Sequence, residues 1–237
     1  MALESNHIYQ YSLLNALMAG VSSSGVPVST LLTKGNQGLG TFVLMNGELL
    51  LLDGICYQLL AEGKIRIASP TDEVPYCAVT QFVPEHTFPH ITLSQKSSID
   101  SVLSDWNAHS KNLFISYRIT GSFASIKCRT VKGQEYEGQP LSELGKSQFV
   151  AEYENVRGTV IGFRSPEAWQ GFSVAGEHMH FIDEKRRVGG HVLELRDGVV
   201  EMQVAVVGNV HVELPRSERF NEVSLKTDDE GLKKVEG

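Results

Sequence analysis

Short apolar segments separated by glycine-containing turns recur along the sequence, and this pattern favours a fold rich in antiparallel β-structure. The clearest case is Gly38–Met45, which predicts a strand, followed by Asn46-Gly47 as a tight turn and Glu48–Leu52 as the returning strand. Strands at Ile55–Leu60 and Lys64–Ala68 extend this hairpin into a meander. The early part of the chain is therefore expected to form a sheet of sequential strands.

Apolar residues at helical spacing predict short helices around this sheet. Ile8–Met18 predicts a helix at the N-terminus, and a second helix is expected after Pro27. Ser98–Asn107 and Pro140–Lys146 predict two more.

A second group of strands follows, in which we expect a kink at Gly121 and a turn at Asp197-Gly198. These strands are expected at Cys77–Val83, Leu113–Thr120, Ser122–Val131, Gly158–Phe163, His178–Ile182, Gly190–Arg196 and Val199–Val207. We predict an α+β protein with two closely packed mixed or antiparallel β-sheet subdomains and flanking helices. We expect an α+β subdomain at residues 1–150 and a β subdomain at residues 151–237, which together can behave as one compact domain.

Composition and charge exclude several functional classes. The 237 residues carry a net charge of −7 and no basic stripe, which argues against a nucleic-acid partner and against binding to an anionic membrane. No apolar run approaches the length of a membrane span, and the N-terminus lacks the cationic region of a secretory signal. The three cysteines are odd in number and far apart, which suits a reducing compartment. We predict a cytoplasmic protein with a small-molecule partner.

Three histidines form the strongest candidate for chemistry. On a strand, His178 and His180 project from the same face, and His191 lies on the predicted return strand after Gly189-Gly190. In a hairpin the three imidazoles converge, and zinc accepts three histidine nitrogens while keeping a fourth position open. Glu177 and Glu194 are candidate hydrogen-bond acceptors for the outer ring nitrogens.

At this point the chain resembles the acetolactate decarboxylase family, zinc enzymes that convert 2-acetolactate to acetoin. The segments that carry the resemblance occur in the family's order and span nearly the whole chain. They are Gly38–Phe42, Asn46–Leu49, Leu52–Gly54, Gly121–Phe123, Arg129-Thr130, Gly158–Pro166, Gly176–Phe181 and Gly189–His191.

The resemblance implies that the three histidines bind Zn²⁺, which chelates the ketone and hydroxyl oxygens of the substrate and stabilises an enediolate. It also implies that Glu48 and Arg129 come from the first subdomain to the site, that Arg129 holds the carboxylate, and that the main chain at Thr41 lines the site. A second glutamate near the C-terminus best matches Glu236, with Glu230 as a competing choice. Which glutamate protonates the enediolate stays open. Family members are often dimers, although the sequence itself shows no decisive interface signal.

Three other functions remain open from the residues alone. His178, His180 and Glu184 superficially fit the first metal motif of a cupin, although no second motif follows. A zinc hydrolase would use Glu48 as the general base for a metal-bound water. A non-catalytic ligand-binding module is the third alternative.

Overall fold

The computed structural model describes residues 4–226, and within this range β-strands far outnumber helices. The helices are α1 (Leu14–Met18), α2 (Val28–Leu31), α3 (Ser98–Trp106), α4 (Leu141–Leu144) and α5 (Glu218–Glu222). The strands are β1 (His7–Tyr11), β2 (Val26–Pro27), β3 (Gln37–Thr41), β4 (Glu48–Leu52), β5 (Ile55–Leu60), β6 (Lys64–Ile67), β7 (Glu73–Val74), β8 (Tyr76–Thr80), β9 (His86–Gln95), β10 (Phe114–Thr130), β11 (Phe149–Ser165), β12 (Gly176–Asp183), β13 (Gly189–Val207) and β14 (Asn209–Glu213).

The first sheet is seven-stranded, in the order β14-β1-β8-β3-β4-β5-β6. The strands β3 to β6 are sequential and antiparallel, as the meander predicts. β14 pairs in parallel with β1, so the last strand of the described residues forms the edge of the sheet, next to the first strand. The short strands β2 and β7 pair with each other outside this sheet.

The second sheet contains the three longest strands of the described range, β10, β11 and β13. β10 pairs with β11, β11 with β12, β12 with the start of β13, and β13 pairs back with β10, so these four strands form a closed circuit. β9 adds to the outer edge of β13. The predicted α+β class, with two packed β-sheets and flanking helices, is confirmed.

The core lies in layers on both faces of each sheet. Along β4, Leu50 and Leu52 face the second sheet, whereas Leu49 and Leu51 pack in the cluster on the opposite face. A strand that is buried on both faces reads as a continuous apolar run, which explains the four consecutive leucines. On the far side of the second sheet, α3 packs with Ile99 and Leu103 toward the strands.

Several local predictions were wrong. The predicted helix at Ile8–Met18 is the strand β1 followed by the short helix α1. The predicted strand at Gly38–Met45 ends at Thr41, and a 3₁₀ turn at Val43–Met45 replaces the two-residue hairpin. β10 runs through Gly121, so two predicted strands are one.

The expected turn at Asp197-Gly198 does not form either. β13 continues through both residues because β10 pairs with it on one edge and β9 on the other. Within this strand Asp197 has a positive φ of 45°.

The division at residue 150 stays a prediction. β11 begins at Phe149 and pairs with β10, so strands from both sides of that position share one sheet. In the same way β14 joins the sheet that is built from the first strands. Across residues 4–226, no helix combines the length and the apolarity that crossing a membrane requires.

Candidate metal centre

The three histidines meet on two neighbouring strands, as the hairpin hypothesis requires. His180 of β12 and His191 of β13 are directly opposite in the register, and His178 lies two residues before His180 on the same face. The ring centroids are 5.2 to 5.6 Å apart. The side chains are buried, with relative exposures of 8% or less.

Strand alternation aims these rings at the first sheet. Met179 and Phe181, which alternate with the histidines along β12, pack in the cluster beside α3. Ile182 packs between the two sheets. The histidines therefore lie on the inter-sheet side of β12, where β4 faces them.

Glycine lets β13 approach β10 beside the ligand group. Gly190 has a φ of +153°, and a Cβ at this position would lie 2.6 Å from the carbonyl oxygen of Arg129. No other residue type fits such an approach without displacing the backbone. Because His191 follows Gly190 directly, this close contact fixes the strand that carries the third imidazole.

Burial keeps the imidazoles in the form that binds metal. Burial, and then the positive charge of Arg129, lower the pKa of His178 to about 3. The same two causes, in the same order, lower the pKa of His191 well below its usual range. Both rings are therefore neutral at neutral pH, as metal coordination requires.

A main-chain carbonyl sets the tautomer of His180. Nδ1 of His180 lies 2.7 Å from the carbonyl oxygen of Leu49. Since a carbonyl can only accept, Nδ1 donates the proton, and in the neutral ring the lone pair is then on Nε2. The acceptor is therefore a main-chain carbonyl and not the carboxylate of Glu194 that the sequence suggested. Glu194 instead pairs with Lys127 and Arg196 at the surface.

Glu177 is also directed away from this ring. Its carboxylate is 3.8 Å from the guanidinium of Arg164. Burial raises the pKa of Glu177 to about 7.

A buried ion pair stands beside the histidines. Nη1 of Arg129 donates to Oε1 of Glu48 at 2.7 Å, and their side chains are 3% and 6% exposed. Oε2 of Glu48 is 3.6 Å from Nε2 of His180. The two residues come from the end of β10 and the start of β4, so the site forms where the two sheets meet.

Thr41 completes the polar side of the site. It pairs with Glu48 in the β3–β4 register, and its hydroxyl donates to the carbonyl of Gly47 at 2.7 Å. This bond fixes the turn that leads into Glu48.

These groups line a partly open pocket whose lining residues fall into two chemically different halves. His178, Thr41, Glu48 and Arg129 line the polar half. The remaining lining residues, which are largely apolar, are Leu14, Leu17, Gly40, Met45, Tyr76, Val131 and Leu141. Sequence reasoning missed this apolar wall, because its members come from separate segments and no local pattern connects them.

The donor set fits a divalent metal. One ring nitrogen from each of His178, His180 and His191 lies within 4.8 Å of the others, and all three residues are buried. Buried neutral imidazoles are the ligands of catalytic zinc sites with three histidines. Glu184, which the cupin hypothesis needs, is outside this group and pairs with Arg157 at 3.7 Å on the surface.

The predicted site residues thus fall into two groups. Thr41, Glu48, Arg129 and His178 line one cavity, and His180 and His191 cluster with His178 beside it. Glu236 and the competing Glu230 lie outside the described residues.

Comparison with known proteins identifies the family. The family model described as alpha-acetolactate decarboxylase matches residues 8–227. The alpha-acetolactate decarboxylase of Methanosarcina mazei is 39% identical over 98% of this chain and 81% of its own. The enzyme of the same name from Klebsiella aerogenes is 34% identical over 92% of this chain and 84% of its own.

Solved structures agree with the sequence comparison. The crystal structure of alpha-acetolactate decarboxylase from Bacillus subtilis strain 168 superposes with a TM-score of 0.91 at 32% identity, covering 98% of this chain and 99% of that one. A Staphylococcus aureus protein described as similar to alpha-acetolactate decarboxylase gives a TM-score of 0.88 at 27% identity, covering 97% and 98%. The chain therefore belongs to the alpha-acetolactate decarboxylase family.

Proposed function

We propose that this protein catalyses the zinc-dependent decarboxylation of 2-acetolactate (2-hydroxy-2-methyl-3-oxobutanoate) to acetoin. Family membership supports the reaction. The observation that carries the mechanism is a cluster of three buried imidazoles beside a buried Glu48–Arg129 pair, at a cavity that His178, Glu48 and Arg129 line. A metal ion can stabilise the negative charge that develops when a 2-hydroxy-3-keto acid loses CO₂, and a cation can bind its carboxylate.

His178, His180 and His191 would hold the metal. When bound, zinc supplies a Lewis acid for the ketone and hydroxyl oxygens and stabilises the negative charge that develops as CO₂ leaves. The protein contributes rigid positioning, because all three ligands lie on paired strands.

Arg129 orients the substrate carboxylate. A planar guanidinium has several N–H donors and can contact Glu48 and a second carboxylate together. Because Arg129 is 3% exposed, little water competes for those donors. The carboxylate is thereby held at the polar half of the cavity, beside the metal ligands.

Glu48 handles a proton. After the C2–carboxylate bond breaks, C2 must take up one proton, and the C2 hydroxyl needs a partner during the same sequence. Glu48 lies beside both Arg129 and His180, within reach of a substrate held by the two. Glu236 is the second proton carrier in this proposal, with Glu230 as its competitor, and one glutamate serves the hydroxyl while the other serves the carbon.

The experiment measures acetoin and CO₂ from racemic 2-acetolactate with zinc-loaded and metal-free protein. His191→Ala is expected to abolish zinc binding and turnover, whereas His211→Ala, on the exposed strand β14, is the matched control. Arg129→Ala is expected to keep zinc and to lose about a hundredfold or more in rate. Full turnover by His191→Ala contradicts the metal site, and ester hydrolysis without CO₂ release supports the zinc hydrolase instead.

The glutamates are separated by the same assay. Glu236→Gln and Glu230→Gln, compared side by side, assign the second proton carrier to whichever loses turnover while keeping zinc. If neither substitution lowers the rate, Glu48 is the sole proton-handling glutamate and the role proposed for Glu236 is wrong.

We further propose a cytoplasmic location and a homodimeric state. Three buried free cysteines support the reducing compartment. Light scattering of the purified protein measures the assembly, and a monomer at micromolar concentration contradicts the dimer.

A further inference from the structure

The apolar wall and the polar half that holds the reacting groups belong to one cavity. Met45 follows β3, Leu141 begins α4, and Leu14 and Leu17 come from α1. Each is buried and belongs to the same apolar cluster. This wall offers a substrate contact surface but no charge.

The backbone that carries Met45 is held in a fixed conformation. Leu44 and Met45 both have positive φ, 58° and 52°, a region that costs free energy for residues other than glycine. The surroundings fix this conformation: Leu44 donates to the carbonyl of Ser22 at 2.8 Å and accepts from the backbone N–H of Gln134 at 2.7 Å. A backbone held in this way fixes the position from which the Met45 side chain reaches the cavity.

We propose that Met45 and Leu141 set the upper size of the alkyl group on the carbon that loses CO₂. The inference deepens the proposed function and rests on it. With the carboxylate at Arg129 and the two other oxygens toward the histidines, only alkyl groups remain to face the apolar half. A methyl group fits beside this wall, whereas each added methylene must displace the side chains of Met45 and Leu141.

The expected discrimination follows from pocket energetics. A single methylene in a hydrophobic pocket changes kcat/KM by roughly 10–200-fold. The native protein therefore prefers the methyl-bearing substrate to 2-ethyl-2-hydroxy-3-oxobutanoate by about tenfold or more. Truncating the wall is expected to shift that ratio by about tenfold toward the ethyl compound.

The chain supplies two matched pairs for the test. Met45→Ala is paired with Met18→Ala, and Leu141→Ala with Leu144→Ala in the same helix. All four residues pack in one cluster, but among the described residues only Met45 and Leu141 of these four line the cavity. Each pair removes the same side chain from the same core, so general destabilisation affects both members alike.

Two readouts separate this inference from the proposed function. The first is the ratio of kcat/KM for the ethyl and methyl substrates with zinc-loaded protein. The second is the ratio of Kd, by calorimetry, for the corresponding 2-alkyl-2,3-dihydroxybutanoates, whose ketone is reduced so that they cannot lose CO₂. Circular dichroism first establishes which variants fold, and if Met45→Ala does not, the Leu141 pair carries the test.

The inference predicts that the lining substitutions shift the ratios about tenfold toward the ethyl compounds and that Met18→Ala and Leu144→Ala leave them unchanged. The inference is overturned if the native protein shows equal kcat/KM and equal Kd for the ethyl and methyl compounds. It is also overturned if both members of a pair shift these ratios equally. If acetolactate is not decarboxylated but the Kd ratios shift as stated, the proposed function fails while the size-limiting wall stands. If the native protein neither decarboxylates acetolactate nor binds either analogue, both fail.

Discussion

Replacing Glu48 by glutamine tests the energetics of the buried ion pair. The charged atoms are 2.7 Å apart, and the side chains are 3% and 6% exposed. At an effective dielectric constant of about 20, their gross Coulomb attraction is about 6 kcal/mol, which is largely offset by the cost of removing both charges from water. Glu48→Gln leaves the guanidinium buried without this carboxylate, so we expect a loss of about 3–5 kcal/mol of unfolding free energy.

The assay is urea unfolding and thermal unfolding of metal-free protein with a double-mutant cycle. For a chain of this size the loss corresponds to a decrease in Tm of about 6–20 °C. Adding Arg129→Met to Glu48→Gln is expected to give an unfolding free energy about 1–3 kcal/mol higher than additivity predicts. The reason is that the second substitution removes the buried guanidinium charge. Glu194→Gln, whose carboxylate pairs with Lys127 at 2.9 Å on the surface, is the matched control and should leave Tm almost unchanged. A loss below about 1 kcal/mol for Glu48→Gln, together with additive effects, would refute the reasoning.

The remaining predictions concern the metal, the hairpin and the thiols. Zinc at about 1,000 times its Kd should raise the unfolding free energy by about 4 kcal/mol and Tm by about 8–16 °C, and an equal rise in His191→Ala would contradict the ligand assignment. Gly190→Ala places a Cβ against the Arg129 carbonyl, so we expect a loss of roughly 3 kcal/mol and weaker zinc binding, measured by calorimetry; native-like values would show that the strand can shift. Burial raises the pKa of the Cys56 thiol to about 12 and those of the other two cysteines as well, so a thiol reagent at pH 8 should modify none in native protein and all after unfolding. Rapid labelling of the native protein would mean that these side chains are exposed.

The metal hairpin could be predicted because its signal is local. His178 and His180 are two residues apart on a strand, and a glycine pair precedes His191, so strand geometry alone brings the three rings together. In the turn between these two strands, the buried carboxylate of Asp183 accepts a hydrogen bond from the backbone N–H of Val188 at 2.8 Å.

The remainder of the site depends on how distant strands meet. Glu48 and Arg129 are 81 residues apart in sequence, and only the packing of β4 against the end of β10 makes them partners. Their roles were inferred from family resemblance rather than from spacing. The wall residue Met45 was assigned to a strand, because a local apolar pattern does not reveal the positive φ that ends β3.

Short apolar segments near the N-terminus were ambiguous for a related reason. In β1, Ile8 and Tyr9 are buried on opposite faces of the first sheet, and such a run cannot be distinguished from a helix by periodicity alone. The neighbouring strands β8 and β14, which come from distant parts of the chain, decide the outcome.

Anomalous diffraction at the zinc edge, on crystals of the zinc-loaded protein, tests the metal centre itself. We expect one strong peak about 2.0–2.1 Å from a nitrogen of each of His178, His180 and His191, with His180 binding through Nε2 because Nδ1 donates to Leu49. Glu48 and Arg129 should lie beside the ion and line the same cavity. A peak elsewhere, or imidazoles that point away from an empty cavity, would contradict both the metal site and the decarboxylase mechanism built on it.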